Sequence, residues 1–325
     1  MDKIKQKFQV AVCCMTYNQS KYITDAMNGF TMQQTSFPFV CCIVDDASTD
    51  GEQEVIRKYL EENFDFSESS AAYHKETEYA HITYAQHNTN KNCYFAVLYL
   101  KENHYSKRKD KMGYLSEWLD MCEYEALCEG DDYWIDPMKI QIQVDYMDNH
   151  PDCGMTRTDV NVLYDKNGIL KHNVFENGDF PNCKNTFIDY ILYGYWSATC
   201  TWMIRRNLDI YYPLPPDCFN GDLALMIKVI KVSDVKYISH ATSVYRVLEE
   251  SASHFKNKEK MLLFWRSQVN TRCYFAKKIS LKYKLRLIIS FFPVVRRYYI
   301  ATKSEMPLDI KSFFAFFIDI SKRLF

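Results

Sequence analysis

Nothing in the 325 residues approaches the roughly 20 consecutive apolar positions that a bilayer-crossing helix needs. The longest apolar stretch, 287–295, is interrupted by Ser290 and Pro293, so no spanning helix is expected. The 12 cysteines form no C-x-x-C pair and no Cys/His spacing of the zinc type, which excludes a zinc-ribbon or finger reading. No apolar signal run follows Met1-Asp2-Lys3-Ile4-Lys5, so reduced thiols and a cytoplasmic setting are expected rather than a secreted disulfide framework. There is no internal repeat and no low-complexity segment. Met15-Thr16-Tyr17-Asn18-Gln19 contains no glycine, so the Gly-rich phosphate loop that a sugar nucleotidyltransferase would want is missing.

Excess charge is missing too, with 40 Lys+Arg against 41 Asp+Glu, but the balance hides a split. Residues 265–325 carry 13 Lys+Arg and 3 Asp+Glu, a net of +10, which leaves −11 for residues 1–264. An acidic body argues against nucleic acid as its partner, and the basic tail points to an anionic one. With 47% apolar and 16% aromatic residues, the chain has ample material for a core. Its length suits one enlarged α/β domain over residues 1–255 with a helical tail over 256–325.

The element pattern is alternating. The run 8–15 and the run Phe39 to Val44 read as buried strands, and between them Tyr22, Ile23, Ala26, Met27 and Phe30 recur at helical spacing after a candidate cap at Ser20. That is a βαβ unit with a parallel pair. Val55, Ile56, Tyr59 and Leu60 mark a second helix, capped by Thr49 with Glu52 or by Asp50 with Gln53. Further strands are expected at Ile82–Ala85 and Tyr124–Cys128, with an apolar segment at Tyr94–Leu100 between them and surface loops at 65–80 and 104–113. Beyond them come a helix from Asp136-Pro137 to His150, a hairpin at Asp165–Gly168, a helix at Thr186–Tyr193, a strand at Ala198–Ile204 and a helix at Leu223–Val232.

Acidic residues cluster at the element ends: Asp45-Asp46, Asp131-Asp132, and Asp222 at a helix start. Ligands of open α/β sheets bind off the carboxyl ends of the strands, so the first two pairs are expected at one crevice. Adjacent carboxylates repel each other and are compensated by a divalent cation such as Mg²⁺ or Mn²⁺ bridging phosphates. Helix caps and turn acids would leave the same sequence trace.

Four motifs in order, Thr16-Tyr17-Asn18, Val44-Asp45-Asp46-Ala47-Ser48-Thr49-Asp50-Gly51, Glu129-Gly130-Asp131-Asp132-Tyr133-Trp134 before Asp136-Pro137-Met138-Lys139, and Gly221-Asp222, resemble family 2 glycosyltransferases. The resemblance covers residues 8 to about 250. It implies a GT-A fold, a Rossmann-like mixed sheet flanked by helices, and an inverting, metal-dependent transferase. Such an enzyme moves a sugar from a nucleotide-diphosphate donor, UDP favoured, to a hydroxyl of a glycan or lipid-linked glycan during bacterial surface polysaccharide or lipopolysaccharide synthesis. By the same resemblance Thr16, Tyr17, Asn18 and Asp46 would hold the base, Asp131 the ribose or sugar, Asp132 a Mn²⁺ or Mg²⁺ ion on the diphosphate, and Asp222 would be the base that deprotonates the acceptor. Each role has a physical reason. A carboxylate accepts a pyrimidine N–H, an aromatic ring stacks on a base, a cation neutralises the departing diphosphate, and a carboxylate fixed at a helix start can take a proton.

Other positions carry two readings. Arg246 could meet the diphosphate or make a salt bridge at a strand end; His254 could supply a metal ligand from a loop or be a plain surface histidine; Trp134 could wall the acceptor site or fill the core. Asn88, Asn90 and Asn92 lie where relatives show an Asn-Gly pair, but the glycine is absent. In the tail, 281–292 and 312–325 mix bulky apolar residues with cations, which suits either a peripheral position on the inner face of the plasma membrane or packing on the body or a second subunit. A non-catalytic nucleotide- or glycan-binding subunit is the competing function, and it would tolerate loss of Asp222.

Overall fold

The computed structural model describes residues 7–291 apart from 108, 183, 209, 211–217, 219–220 and 250–257, together with 320, 322 and 324; residues 258–262 are described by their backbone alone. The chain forms two compact units. The first holds residues up to Asp179 with Ala198–Leu208 and Lys236–Arg246, and the second holds Phe180–Ser197, Asp209–Val235 and Val247–Phe325. This division differs from a body and tail parted at 255/256, because two helices from the middle of the chain group with the C-terminal ones.

The first unit is built on one mixed sheet. Strands β1 (Val10–Thr16), β2 (Phe39–Asp45), β6 (Cys93–Leu100) and β7 (Tyr124–Leu127) run parallel in the order β6-β2-β1-β7, with Cys13 facing both Cys42 and Leu127. All residues of β2 and β6 are buried, as expected of strands covered on both faces. Beyond β6, β5 (Ala80–His87) runs antiparallel and pairs with β3 (Phe64–Asp65) and β4 (Tyr73–Glu76). The segment 65–80, expected as a loop, is thus partly strand. On the other side β11 (Trp202–Arg205) runs antiparallel between β7 and β9 (Cys153–Tyr164), followed by β12 (Asp234–Val247) and β8 (Tyr133–Trp134). The expected hairpin is present as β9 with β10 (Ile169–Lys171), and Gly168 supplies the left-handed residue its turn requires, φ +67°.

Two expected caps are absent. Helix α1 (Ile23–Thr31) follows Tyr22 rather than Ser20, with no side-chain cap, and α2 (Glu52–Asn63) starts from Gly51 in the left-handed region at φ +91°. Instead of capping its own helix, Glu52 reaches across to β1, and Asp50 accepts the Glu52 N–H at 3.1 Å. Gly29 lets α1 lie against β8, since a Cβ there would stand 2.8 Å from the Trp134 nitrogen.

Helix α4 (Lys139–Asp148) carries an unusual interior residue. Lys139 is fully buried, its ammonium donating to Gln143 Oε1 at 2.5 Å and lying 4.6 Å from the Trp134 ring. Among the described residues no carboxylate lies within ion-pair distance, and burial lowers its pKa to about 8. The unfolded chain therefore binds more protons between that value and about 10.4, so the penalty is full below pH 8 and relieved as pH rises. Lys139→Met is expected to raise stability at pH 7 by about 2 kcal/mol, the shift being partly offset by the donor lost to Gln143. Urea unfolding of both proteins should show that margin shrinking toward zero at pH 10.

In the second unit α5 (Phe187–Tyr193) is capped by Thr186, whose hydroxyl accepts the Asp189 N–H at 3.2 Å. Helices α6 (Gly221–Val232), α7 (Lys258–Phe275) and α8 (Leu281–Ser290) complete it, with α5 touching each of the other three. Arg272 of α7 ties them together, donating to the Ile191 carbonyl at 2.8 Å, to the Leu192 carbonyl and to Ser290 Oγ at 2.7 Å.

Candidate active site

Parallel strands put their carboxyl ends on one edge, so the loops after β1, β2, β6 and β7 are neighbours. These are segments 17–22, 46–51, 101–111 and 128–132. The first two motifs are joined by hydrogen bonds. Thr16 Oγ1 hydrogen-bonds Glu52 and lies 2.7 Å from Gln19 Oε1; Ser48 Oγ and the Gln19 N–H each donate to Glu52 at 2.8 Å. Asn18, held at φ +54°, donates its N–H to Ser48 Oγ at 2.9 Å and accepts the Thr49 N–H at 2.8 Å. Thr16 and Asn18 thus brace the loop, and Tyr17, 45% exposed, is the member whose ring is open to a ligand. Glu52 is fully buried, and desolvation raises its pKa above the ordinary carboxylate value.

The third motif is pinned beneath the first. The Gly130 N–H donates to the Met15 carbonyl at 3.2 Å, and a Cβ at Gly130 would stand 2.4 Å from Thr16 Oγ1 and 2.6 Å from Gln19 Oε1. Gln19, packed against Gly130, also helps hold the Asp131 carboxyl down against the rise that burial causes, so one side chain touches both loops. Asp131 is partly exposed, whereas Asp132 is 2% exposed and accepts the Arg246 N–H at 2.8 Å. Burial raises the pKa of both, and for Asp132 the negative charges of Asp131 and Glu129 add to it.

Asp46 is also fully buried. Its Oδ1 accepts the His104 N–H at 2.7 Å, and its Oδ2 accepts the Tyr105 N–H and the Lys111 ammonium, both at 3.0 Å. The loop after β6 therefore encloses the residue expected to read a base. This places Asn103–Ser106 on the site edge, and sequence reasoning missed it. Asn88, Asn90 and Asn92 belong elsewhere. They follow the antiparallel β5 at the opposite end of β6, where Asn90 donates to the Thr31 and Gln33 carbonyls at 2.9 and 2.8 Å and Asn92 to the Thr35 carbonyl at 2.6 Å.

Arg246 makes the salt bridge rather than standing open. Its guanidinium donates to Asp25 at 2.8 Å and to the Asp131 carbonyl at 2.9 Å, and lies between the Tyr22 and Tyr133 rings at 4.5 and 5.1 Å. Trp134 is a core residue, donating to the Cys200 carbonyl at 2.9 Å with its ring edge-on to Phe30 at 5.0 Å. Asp222 belongs to the first turn of α6 in the second unit. It is exposed, yet protein crowded around it raises its carboxyl pKa by desolvation. His254 lies outside the described residues.

Among the described residues no group of three His, Cys, Asp or Glu side chains forms a ready cage for a metal. The oxygen donors of Asp131 and Asp132, with Glu129 adding negative charge beside them, fit a hard divalent cation that takes its remaining ligands from phosphate and water.

Residues 11–91 match the family model described as Glycosyl transferase family 2. Uncharacterized proteins of Mycobacterium tuberculosis and Mycobacterium bovis are 26% identical over 245 residues, 73% of this chain and 58% of theirs, so the chain spans a little over half the length of these relatives. Among solved structures, S. aureus TarS 1-349 in complex with UDP superposes with a TM-score of 0.52 at 16% identity, covering 92% of this chain and 76% of that one. The mannosyltransferase PcManGT from Pyrobaculum calidifontis, in complex with GDP-Man and Mn²⁺, gives 0.53 at 13% identity, covering 98% and 82%. These two likenesses carry the fold. The family match falls on the segment that holds Thr16–Asn18 and Asp46, and the fold is the mixed α/β sheet flanked by helices of GT-A glycosyltransferase structures.

Proposed function

We propose that the chain is an inverting transferase that moves a sugar from a nucleoside diphosphate donor, UDP favoured, to a hydroxyl of a glycan or lipid-linked glycan in surface polysaccharide synthesis. The observation that carries this reading is the gathering of the Thr16–Asn18, Asp46 and Asp131–Asp132 loops on one strand edge of the first unit. Tyr17 offers a ring for the base, and Asp46 beside the Lys111 ammonium pairs an acceptor with a donor, the complement of a pyrimidine N–H next to a carbonyl. Asp131 and Asp132 would hold Mn²⁺ or Mg²⁺, which supplies charge neutralisation to the leaving diphosphate. Gln19 and Arg246 keep the Asp131–Asp132 turn in place. In the second unit Asp222 is the residue proposed to take the acceptor proton; its raised pKa brings it nearer to the working pH of a general base.

Related structures solved with UDP, and with GDP-Man and Mn²⁺, support a nucleotide donor and a divalent ion. The test is thermal stability of the native chain and of Asp131→Ala and Asp132→Ala against UDP, GDP, CDP and dTDP, each with and without Mn²⁺. At a hundredfold over Kd, the correct nucleotide should add about 2.7 kcal/mol to the native chain only, and only with metal. Absence of a shift for every nucleotide would count against the reading.

A further inference from the structure

Helix α8 uses only part of its apolar surface in the second unit. Its inner side is fixed: Leu287 and Phe291 are fully buried, and Arg272 holds Ser290 Oγ at 2.7 Å while lying 4.4 Å from the Phe291 ring. The outer side carries Leu281, Leu285 and Ile289 at i, i+4 and i+8, exposed by 60%, 51% and 64%. Beside that apolar row runs a basic one, Lys282 and Arg286, also exposed and also one turn apart, with exposed Lys277 and Lys278 just before the helix. Residues 261–304 contain no Asp or Glu. Among the described residues no carboxylate pairs with these cations within 4 Å.

Three bulky side chains held open to water lose the apolar burial that α8 otherwise provides, and the adjoining cations, with no carboxylate partner among the described residues, make the face attractive to anions. A protein partner of average charge would meet only one of the two rows. A bilayer interface with anionic headgroups meets both at once, the acyl boundary taking the two leucines and the isoleucine and the phosphates taking the lysines and arginine. We propose that the outer face of α8 docks on an anionic lipid surface, Leu281, Leu285 and Ile289 inserting and Lys277, Lys278, Lys282 and Arg286 binding headgroups. The inference stands apart from the transferase reading, since it needs no nucleotide site.

Flotation of the full chain with vesicles of phosphatidylcholine alone, or of phosphatidylcholine mixed with phosphatidylserine, tests it. The native chain should float with the mixed vesicles and about tenfold less with the neutral ones. Leu281→Ser/Leu285→Ser/Ile289→Ser and Lys282→Glu/Arg286→Glu should each lose at least about tenfold in partitioning while keeping the native melting temperature. Native chain that stays at the bottom of the gradient, or variants that float as well as it does, would overturn the proposal. So would a native dimer that binds no vesicle and that the triple serine substitution turns into a monomer, because a second copy would then cover the face.

Discussion

Arg246→Met is expected to cost about 2 to 3 kcal/mol of stability and to weaken nucleotide binding with it. The side chain is 5% exposed and makes two charge-assisted hydrogen bonds, to Asp25 and to the Asp131 carbonyl, with aromatic faces on either side. Removing a fully buried ion pair's partner can cost about 3 to 5 kcal/mol; here Asp25 is 50% exposed and rehydrates, which lowers the figure. The Asp131 carbonyl loses its donor, and of the two ties between residue 246 and the Asp131–Asp132 turn only the backbone N–H to Asp132 remains. Arg246→Lys should recover little, since one ammonium cannot reach both acceptors and lacks the planar group that lies over the two rings. Chemical unfolding gives the stability term and the nucleotide titration gives the binding term. Native-like values for both would show that the clamp is incidental.

The second large effect is on turnover. Asp222→Asn should lower sugar transfer by about 10² to 10⁴ while leaving donor affinity unchanged, the loss typical of a removed general base. A pH profile adds a second readout. Desolvation raises the Asp222 pKa, so the carboxylate form is lost as pH falls through a value above the ordinary carboxylate range. The native acid limb should therefore lie above that range, and the asparagine variant should lack that limb. Unchanged transfer by Asp222→Asn would favour a non-catalytic binding subunit.

The parts of this site that were legible in the sequence are those whose chemistry is local. Thr16–Asn18, Asp45-Asp46 and Asp131-Asp132 each follow an apolar run long enough to be a buried strand, and the ends of parallel strands are where such residues collect. Strand direction was not legible. Ile82–Ala85 reads as a strand and Tyr94–Leu100 as an apolar segment, and hydropathy does not say which of the two runs parallel to β2. Asn88, Asn90 and Asn92, which follow the first, therefore lie away from the site, whereas Asn103–Ser106, after the second, edge it. Glu52 looked like a capping residue because helix-start patterns describe only the neighbouring turn, and its contact with Thr16 spans 36 positions. Lys139 gave no signal at all, since nothing in Asp136-Pro137-Met138-Lys139 distinguishes an ammonium buried under a tryptophan from one in water. The grouping of α5 and α6 with the C-terminal helices likewise depends on contacts far apart in sequence.

The enclosure of Asp46 has a kinetic consequence. Its two oxygens already hold the His104 and Tyr105 N–H groups and the Lys111 ammonium, so if Asp46 reads the base it does so only in the fraction of molecules whose 103–106 segment has let go. Observed affinity is then the intrinsic affinity scaled by that fraction, and association approaches a ceiling set by the opening rate rather than by collision. Weakening the segment's hold while leaving Lys111 in place, as Asn103→Ala does by removing the donor to the Asp46 carbonyl at 3.0 Å, would speed nucleotide capture and lift the ceiling at the same time.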